Sequence, residues 1–342
     1  MCNSINDNKE LKINTRRLLF VLSKMLSTGI KHADYKIEKL QGGTVGDVQL
    51  ITGIAESSSG DKIPYRIVLK VQKKWERPGD ILSWRREYDL YSSKIPSLFT
   101  GSLRWPVCYF AQINNEEDET QIWMEYIEGI SGYDLSIDML KKVSREIGRF
   151  QGKIYSEKPA FLHEITNLGN AGGLKEYYFF CKGWTLIYDY IRSDVCEIPK
   201  HLCKMIIDVD ENSDEIWQRI EVLPIVFCHR DFWVTNIFYK ENGFILIDWD
   251  TAGWGYLGED VRQLISDEVP PERMLEYYSE CVPEYYIGFS EYVDISHITD
   301  KCIKEMIIFN YGYRLVDWYK TAKTEEEKEL HLNVLQKIYE MT

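Results

Sequence analysis

The two parts of this chain differ in how hydrophobic and polar positions alternate. Before Gly129, short runs rich in β-branched and aromatic residues predict strands. These strands are residues 35–40, 48–54, 65–71, 104–113 and 120–127. Two helices are predicted beside them, residues 15–25 and residues 81–95, because their apolar side chains recur at helical spacing. The first part is therefore expected to form mainly sheet.

Beyond Gly129, helical periodicity dominates. Helices are predicted over residues 134–155, 174–191, 199–220 and much of 258–342, with Asp134 as the N-cap of the first. A β block at residues 225–249 interrupts them. Its turn reads KENG, and we expect a tight hairpin there because Asn-Gly tolerates positive φ.

Length and composition suit two lobes around sizeable cores. The chain has 342 residues, of which 44% are apolar. We predict an α+β fold with a small antiparallel sheet in the first lobe and a larger, mainly helical second lobe. The predicted boundary lies near Ile127, which gives residues 1–127 and residues 128–342.

Charge and cysteine usage exclude several classes of protein. The formal charge of -13 disfavours a nucleic-acid partner and mildly favours a cationic ligand, although acidity also serves solubility. Eight scattered cysteines without a C-x-x-C pair argue against a zinc site. The N-terminus has no signal-peptide core, and no apolar run approaches the roughly 18 residues of a membrane span. We expect a cytoplasmic monomer or weak dimer that binds no membrane.

The main candidate chemistry lies between His229 and Asp250. Asp231 and Asn236 are five residues apart, as the base and the metal-binding amide are in a phosphotransfer loop. Asp248 ends the apolar run 244–247, where a carboxylate can hold Mg²⁺ through oxygen. Each residue alone could be a loop or capping residue. Together, at this spacing, they predict a catalytic base, Asp231, and two metal ligands, Asn236 and Asp248.

A lysine in the apolar strand 65–71 is the candidate for gripping phosphate. Burying the ammonium of Lys70 is costly unless it is paired. Glu87, on the predicted helix 81–95, is the favoured partner, and Glu76 and Glu125 are weaker ones. We therefore expect the pair Lys70–Glu87 to position the α- and β-phosphates of a nucleotide.

A glycine-rich loop precedes that lysine. Residues 42–46 read GGTVG, and glycines let backbone amides approach phosphates closely. Gly43 and Thr44 are therefore candidate nucleotide-binding residues. An ordinary hairpin turn is the alternative.

Two segments, CHRDFWVTN at residues 228–236 and LIDWD at residues 246–250, together resemble the aminoglycoside phosphotransferase and choline kinase superfamily. The resemblance covers roughly residues 35–315. It implies a bilobal protein-kinase-like fold, with nucleotide bound by residues 1–127 and acceptor by residues 128–342. It also implies ATP or GTP and Mg²⁺ as cofactors.

The resemblance also implies roles for further residues. The strand QIWMEYIEG looks like the hinge, where the Glu125 carbonyl and the Ile127 amide would bind the adenine edge. Asp260 resembles an aspartate that braces the catalytic loop. Trp249 stands in place of the Phe of a D-F-G motif, and Pro270-Pro271-Glu272 is better explained as a helix start than as part of an activation segment. A protein kinase is therefore disfavoured.

The sequence leaves the acceptor open. Acidic and aromatic side chains of the second part suit a cationic, hydroxylated small molecule, most of all an aminoglycoside-type antibiotic. A choline, ethanolamine or other metabolite kinase is the first alternative. A non-catalytic, kinase-like nucleotide-binding protein is the second. Asp250 could be a carboxylate near the metal or a turn residue.

Overall fold

The computed structural model describes residues 13–40, 46–75, 80–114, 116, 118–184, 187–299 and 302–341. The chain divides into two compact units. Unit 1 consists of the described residues of Met1–Trp75 and Pro106–Ile127. Unit 2 consists of those of Glu76–Trp105 and Glu128–Thr342.

Unit 1 is built on one antiparallel sheet of six strands. The strands are β1 (Ile30–Ala33), β2 (Lys36–Lys39), β3 (Asp47–Ser57), β4 (Lys62–Lys73), β6 (Cys108–Asn114) and β7 (Glu119–Glu125), β5 being part of unit 2. Their order is β1-β3-β4-β7-β6, and β2 also pairs with β3. The long strands β3 and β4 stay in register from Asp47 opposite Val71 to Glu56 opposite Lys62.

Helix α1 (Thr15–Met25) covers this sheet. It begins where the Asn14 side chain accepts a hydrogen bond from the Arg17 amide, a standard N-cap. Leu18, Val21 and Leu22 are fully buried and join the apolar face of the sheet. Burial of these side chains against the apolar residues of the sheet stabilises the unit.

Unit 2 is mainly helical. Its described helices are α2 (Ser83–Tyr91), α3 (Ile137–Glu157), α4 (Ala160–His163), α5 (Gly173–Trp184), α6 (Ile187–Ile191), α7 (Lys200–Glu211), α8 (Ser213–Glu221), α9 (Glu259–Ser266), α10 (Pro271–Ser290), α11 (Ile303–Ile307), α12 (Tyr313–Thr321) and α13 (Glu325–Glu340). Helices α3 and α10 form the largest helix–helix contact. A Cβ added at Gly148 would lie 2.1 Å from the Tyr285 carbonyl oxygen, so glycine is needed for this close approach.

Two small sheets complete unit 2. The first has the order β5-β11-β10-β8 and the second pairs β12 with β9. Their strands are β5 (Leu103–Arg104), β8 (Ile130–Ser131), β9 (Ile225–Cys228), β10 (Ile237–Lys240), β11 (Gly243–Leu246) and β12 (Gly253–Tyr256).

The hairpin between β10 and β11 forms at the predicted place with a different turn. Lys240 pairs with Gly243, and the positive φ angles fall on Glu241 and Asn242 (51° and 64°) rather than on Asn-Gly. A two-residue turn with both central φ angles positive matches the twist of the flanking strands. Asparagine and a tolerated glutamate take the left-handed positions, while Gly243 belongs to the strand.

Two helix boundaries differ from the prediction. Helix α3 is capped by the Ser136 side chain, which accepts from the Met139 amide, so the expected N-cap at Asp134 is wrong. The predicted helix 199–220 is divided into α7 and α8 at Asn212. Helix α10 does begin at Pro271, as expected. Within the described ranges, no helix has the length and apolar character to span a membrane.

Candidate active site

A buried aspartate shapes the loop that follows β9. The carboxylate of Asp260, at the start of α9, accepts hydrogen bonds from the backbone amides of His229 and Arg230, both at 2.8 Å. Arg230 has a φ of 63°, which a residue with a side chain rarely adopts. Asp260 is fully buried and also accepts from Gln151 at 2.7 Å. It therefore braces the loop, as the resemblance implies.

His229 ties the same loop to the strand β11. Its Nε2 lies 2.9 Å from the Ile247 carbonyl oxygen, and its Nδ1 accepts the Asp231 amide at 3.3 Å. These partners require the tautomer that carries the proton on Nε2. The imidazole thus fixes the distance between the start of this loop and Ile247, the residue before Asp248.

Asp231 and Asn236 meet within one short turn. Residues 234–236 form a 3₁₀ turn that brings the Asn236 side chain back over the loop. Its Nδ2 donates to the Asp231 carboxylate at 2.7 Å and to the Asp231 carbonyl at 3.0 Å. Since the amide nitrogen is used on Asp231, the amide oxygen of Asn236 is the atom left to bind a cation.

Asp248 lies just beyond β11 in an unusual backbone conformation. Its φ is 64°, in the left-handed region, where strain of about 1–3 kcal/mol is typical. The next residue, Trp249, is fully buried and its ring packs among five aromatic neighbours. These neighbours are Phe99, Trp105, Phe150, Phe227 and His229. The Trp249 indole donates to the Leu246 carbonyl at 2.9 Å and anchors the turn.

The pKa of Asp231 is raised to about 7. Burial is the largest cause, and repulsion from Asp248 is the next, while the hydrogen bond from Asn236 acts in the opposite direction. Asp250 and Asp267 add smaller repulsions. A carboxylate with a pKa near neutrality can accept a proton at the operating pH and release it afterwards.

The donor set fits a magnesium ion. The candidate ligands Asn236 and Asp248 offer only oxygen, which Mg²⁺ prefers, and repulsion between Asp231 and Asp248 would be relieved by a cation. No group of three or more His, Cys, Asp or Glu residues suited to a metal occurs among the described residues. A site with two protein ligands is typical of Mg²⁺ that also binds substrate phosphates.

Glu87 belongs to the same unit as the loop that carries Asp231. It is buried on α2, and its Oε1 accepts the Trp249 amide at 3.4 Å. The structure thus brings Glu87 together with the segment that contains Asp248. Its pairing with Lys70 stays a prediction.

The remaining candidates lie in unit 1 or outside the described residues. Lys70 is in β4, opposite Val48 and Ile122, and its Cε would lie 3.5 Å from a Cβ added at Gly46. Glu125 ends β7, and Ile127 follows two residues later. Gly43 and Thr44 lie outside the described residues.

Several residues of this region were not singled out by sequence reasoning. Gln263 accepts the Phe232 amide at 3.3 Å and donates to the Arg230 carbonyl at 2.8 Å. It follows Asp260 by three positions, so the helical spacing of Asp260 and Gln263 was the available signal. Arg86, described below, gave no such signal.

A family model described as "Phosphotransferase enzyme family" matches residues 106–280. No curated protein matches the chain.

Solved structures of the same fold include three kinases of small molecules. An amicoumacin kinase, hAmiN, in complex with AMP-PNP, Ca²⁺ and Ami, has a TM-score of 0.53 at 13% identity, covering 96% of this chain and 94% of that one. The GDP complex of aminoglycoside 2'-phosphotransferase-IIIa has a TM-score of 0.53 at 12% identity, covering 96% of this chain and 99% of that one. A choline kinase from Cryptosporidium parvum Iowa II has a TM-score of 0.50 at 15% identity, covering 90% of this chain and 89% of that one. These likenesses confirm the predicted α+β, protein-kinase-like fold.

Proposed function

Because the chain belongs to the phosphotransferase enzyme family, we propose that it transfers the γ-phosphate of ATP or GTP to a hydroxyl of a small, cationic molecule, with an aminoglycoside-type antibiotic as the favoured acceptor. Family membership confirms the superfamily that the catalytic motifs indicate. It likewise confirms the predicted enzyme class, a small-molecule kinase.

The pairing of Asp231 with Asn236 carries the proposal. A carboxylate with a pKa raised to about 7, held by an amide at 2.7 Å, is suited to orient an acceptor hydroxyl and take up its proton. Proton transfer of this kind contributes about 10²–10⁴-fold to rate. Asp231 is therefore proposed as the catalytic base.

The remaining candidate residues would bind the metal and the nucleotide. Asn236 and Asp248 would hold Mg²⁺, which when bound neutralises charge on the transferred phosphate. Lys70, with Glu87 as its partner, would contact the α- and β-phosphates. Backbone groups of Glu125 and Ile127 would bind the base, and backbone contacts do not by themselves distinguish ATP from GTP.

Negative charge around the base supports a cationic acceptor. Asp248, Asp250 and Asp267 each raise the pKa of Asp231, which places three carboxylates within electrostatic range of the reacting oxygen. Asp267 follows α9 and is hydrogen-bonded to Tyr311, in the π-helical turn Ile308–Gly312. π-helical turns occur frequently at functional sites. An ammonium group of the acceptor would be attracted to Asp267 while its hydroxyl meets Asp231.

One observation supports an amino sugar over choline as the proposed acceptor. Binding of a quaternary ammonium relies on open aromatic faces. The guanidinium of Arg314 already lies over Tyr311 at 5.0 Å and over Trp318 at 4.7 Å. The ring faces that Arg314 covers cannot also bind choline, whereas the Asp267 carboxylate could accept N–H donors.

A substrate screen tests the proposal. ATP and GTP consumption would be measured against aminoglycosides, choline, ethanolamine, amino acids and sugars. We expect Mg²⁺-dependent turnover with at least one amino sugar. Turnover with choline alone would replace the favoured acceptor by the metabolite-kinase alternative. The absence of any turnover, together with no thermal shift by nucleotide and Mg²⁺, would favour a non-catalytic binding protein.

A further inference from the structure

Helix α2 carries a buried arginine that the catalytic motifs do not explain. Arg86 has a relative exposure of 1% and donates to three separate segments of unit 2. Its Nη2 donates to the Asp80 carboxylate at 2.6 Å, and its Nε to the Asn167 carbonyl at 2.5 Å. Its Nη1 donates to the Asp250 carbonyl at 2.8 Å. The guanidinium therefore joins α2, the segment before α5 and the turn after Asp248.

Stability alone is a weak reason for such a residue. Removing a guanidinium from water costs several kcal/mol, and apolar residues of similar volume often stabilise a fold equally well. Only one of the three acceptors, Asp80, is charged, and two are backbone carbonyls. A planar guanidinium that binds three acceptors at fixed angles instead fixes the relative positions of the segments that carry those acceptors.

The geometry that is fixed is that of the turn after Asp248. Arg86 binds the Asp250 carbonyl, and its neighbour Glu87 accepts the Trp249 amide. Two successive residues of α2 thus hold the two residues that follow Asp248. Asp248 itself has the left-handed φ of 64°, a conformation that persists only where its surroundings enforce it.

We propose that Arg86 is a positioning residue that, through the Asp250 carbonyl, holds Asp248 in the conformation required for binding Mg²⁺. This inference rests on the proposed function, because it takes Asp248 as a metal ligand. Partners behind a metal ligand commonly change metal affinity by about 10–100-fold when they are removed. We expect the metal affinity of this protein to fall by the same factor when Arg86 is replaced.

Direct metal binding tests the proposal without turnover. Binding of Mn²⁺, a paramagnetic substitute for Mg²⁺, would be measured by electron paramagnetic resonance with a non-hydrolysable ATP analogue present. We expect Arg86→Met to raise the Mn²⁺ dissociation constant by about 10-fold or more. Arg86→Lys keeps the charge but cannot bind three acceptors in fork geometry, so a smaller increase is expected.

Arg85→Lys is the matched control. Arg85 is the preceding residue of α2, and it forms an ion pair with Asp89 at 2.8 Å. We expect this variant to bind Mn²⁺ within about twofold of the parent protein, since lysine can keep the ion pair with Asp89 and Arg85 does not contact the turn after Asp248. Equal losses in Arg85→Lys and Arg86→Lys would assign the effect to α2 in general and overturn the proposal.

Hydrogen exchange provides a second readout. In the metal-free protein, Arg86→Lys should speed exchange of the Trp249 amide, which Glu87 accepts. Unchanged Trp249 protection together with parental Mn²⁺ affinity in a folded Arg86→Lys protein would overturn the positioning role. Asp248→Ala separates the two claims. If that variant kept parental Mn²⁺ binding, the proposed metal site would be wrong, whatever Arg86 does.

Discussion

The catalytic loop and the first turn of α9 each carry an aspartate removed from water, yet the two carboxylates are suited to different tasks. Burial is the main reason that the pKa of Asp231 rises to about 7 and that of Asp260 to about 6. Asp260 accepts three N–H donors, from His229, Arg230 and Gln151. Asp231 accepts one side-chain donor, from Asn236, and faces the repulsion of Asp248.

The difference shows that burial by itself does not distinguish the proposed base, Asp231, from the brace, Asp260. A carboxylate whose two oxygens both accept fixed N–H donors is a structural brace. A carboxylate with one donor, surrounded by like charge, retains lone pairs for a substrate hydroxyl and a pKa near neutrality. Replacing each aspartate by alanine should therefore affect different properties.

The largest effect is expected on catalysis. Asp231→Ala removes the base but leaves the brace of Asp260 intact, so phosphate transfer should fall by about 10³-fold or more. Nucleotide should still bind, because Asp231 is not among the proposed nucleotide contacts. Transfer rate and the thermal shift by ATP with Mg²⁺ would be measured together. Turnover near that of the parent protein would contradict the assignment of the base.

The next effect is expected on stability. Asp260→Ala leaves the buried amides of His229 and Arg230 without their acceptor, at roughly 1–3 kcal/mol for each unsatisfied group. The free energy of unfolding should fall by about 3 kcal/mol, as measured by urea denaturation. Asp231→Ala serves as the matched control, because it removes the same atoms from a site with one side-chain donor. Equal losses in the two variants would remove the distinction between brace and base.

A smaller change in the free energy of unfolding, of opposite sign, is expected for Asp231→Ala as pH changes. Its folded pKa of about 7 lies above the ordinary aspartate pKa of 3.8, so the folded state loses stability as pH rises between these values. Asp231→Ala removes this penalty. As pH rises from 5 to 8, the free energy of unfolding of the variant should therefore increase relative to that of the parent protein, by about 1–3 kcal/mol. A difference that does not change over this range would contradict the raised pKa.

The contact between Asp231 and Asn236 could be predicted from sequence because it is local. Asp231 and Asn236 are five residues apart, and their hydrogen bond forms within a single turn. Arg86 could not be predicted in this way, because two of its acceptors, at Asn167 and Asp250, are 81 and 164 residues away. Only the folded chain reveals what such a side chain binds.

Local preference also left some elements undecided. Either Asp134 or Ser136 can cap a helix, and only the structure shows that Ser136 does. Strand β12 reads GWGY, and its two glycines disfavour a strand, so its pairing with β9 decides the conformation. The contact between Asp267 and Tyr311 could not be predicted for the same reason, since the two residues come together only in the fold.

The smallest expected effect tests which carboxylates raise the pKa of Asp231. Asp250 raises the pKa of Asp231, although less than burial and Asp248 do. Asp250→Asn should therefore lower that pKa and move the acid limb of kcat/KM to lower pH, by less than about one unit. At pH 6 a larger fraction of Asp231 would then be ionised, so the variant should keep more of its maximal rate than the parent protein does.

The control is Asp214→Asn. Asp214 is an exposed acid in the first turn of α8, and its replacement should not move the acid limb of kcat/KM. A limb that moves to higher pH in Asp250→Asn at saturating Mg²⁺ would show that Asp250 acts on the base otherwise than by its charge.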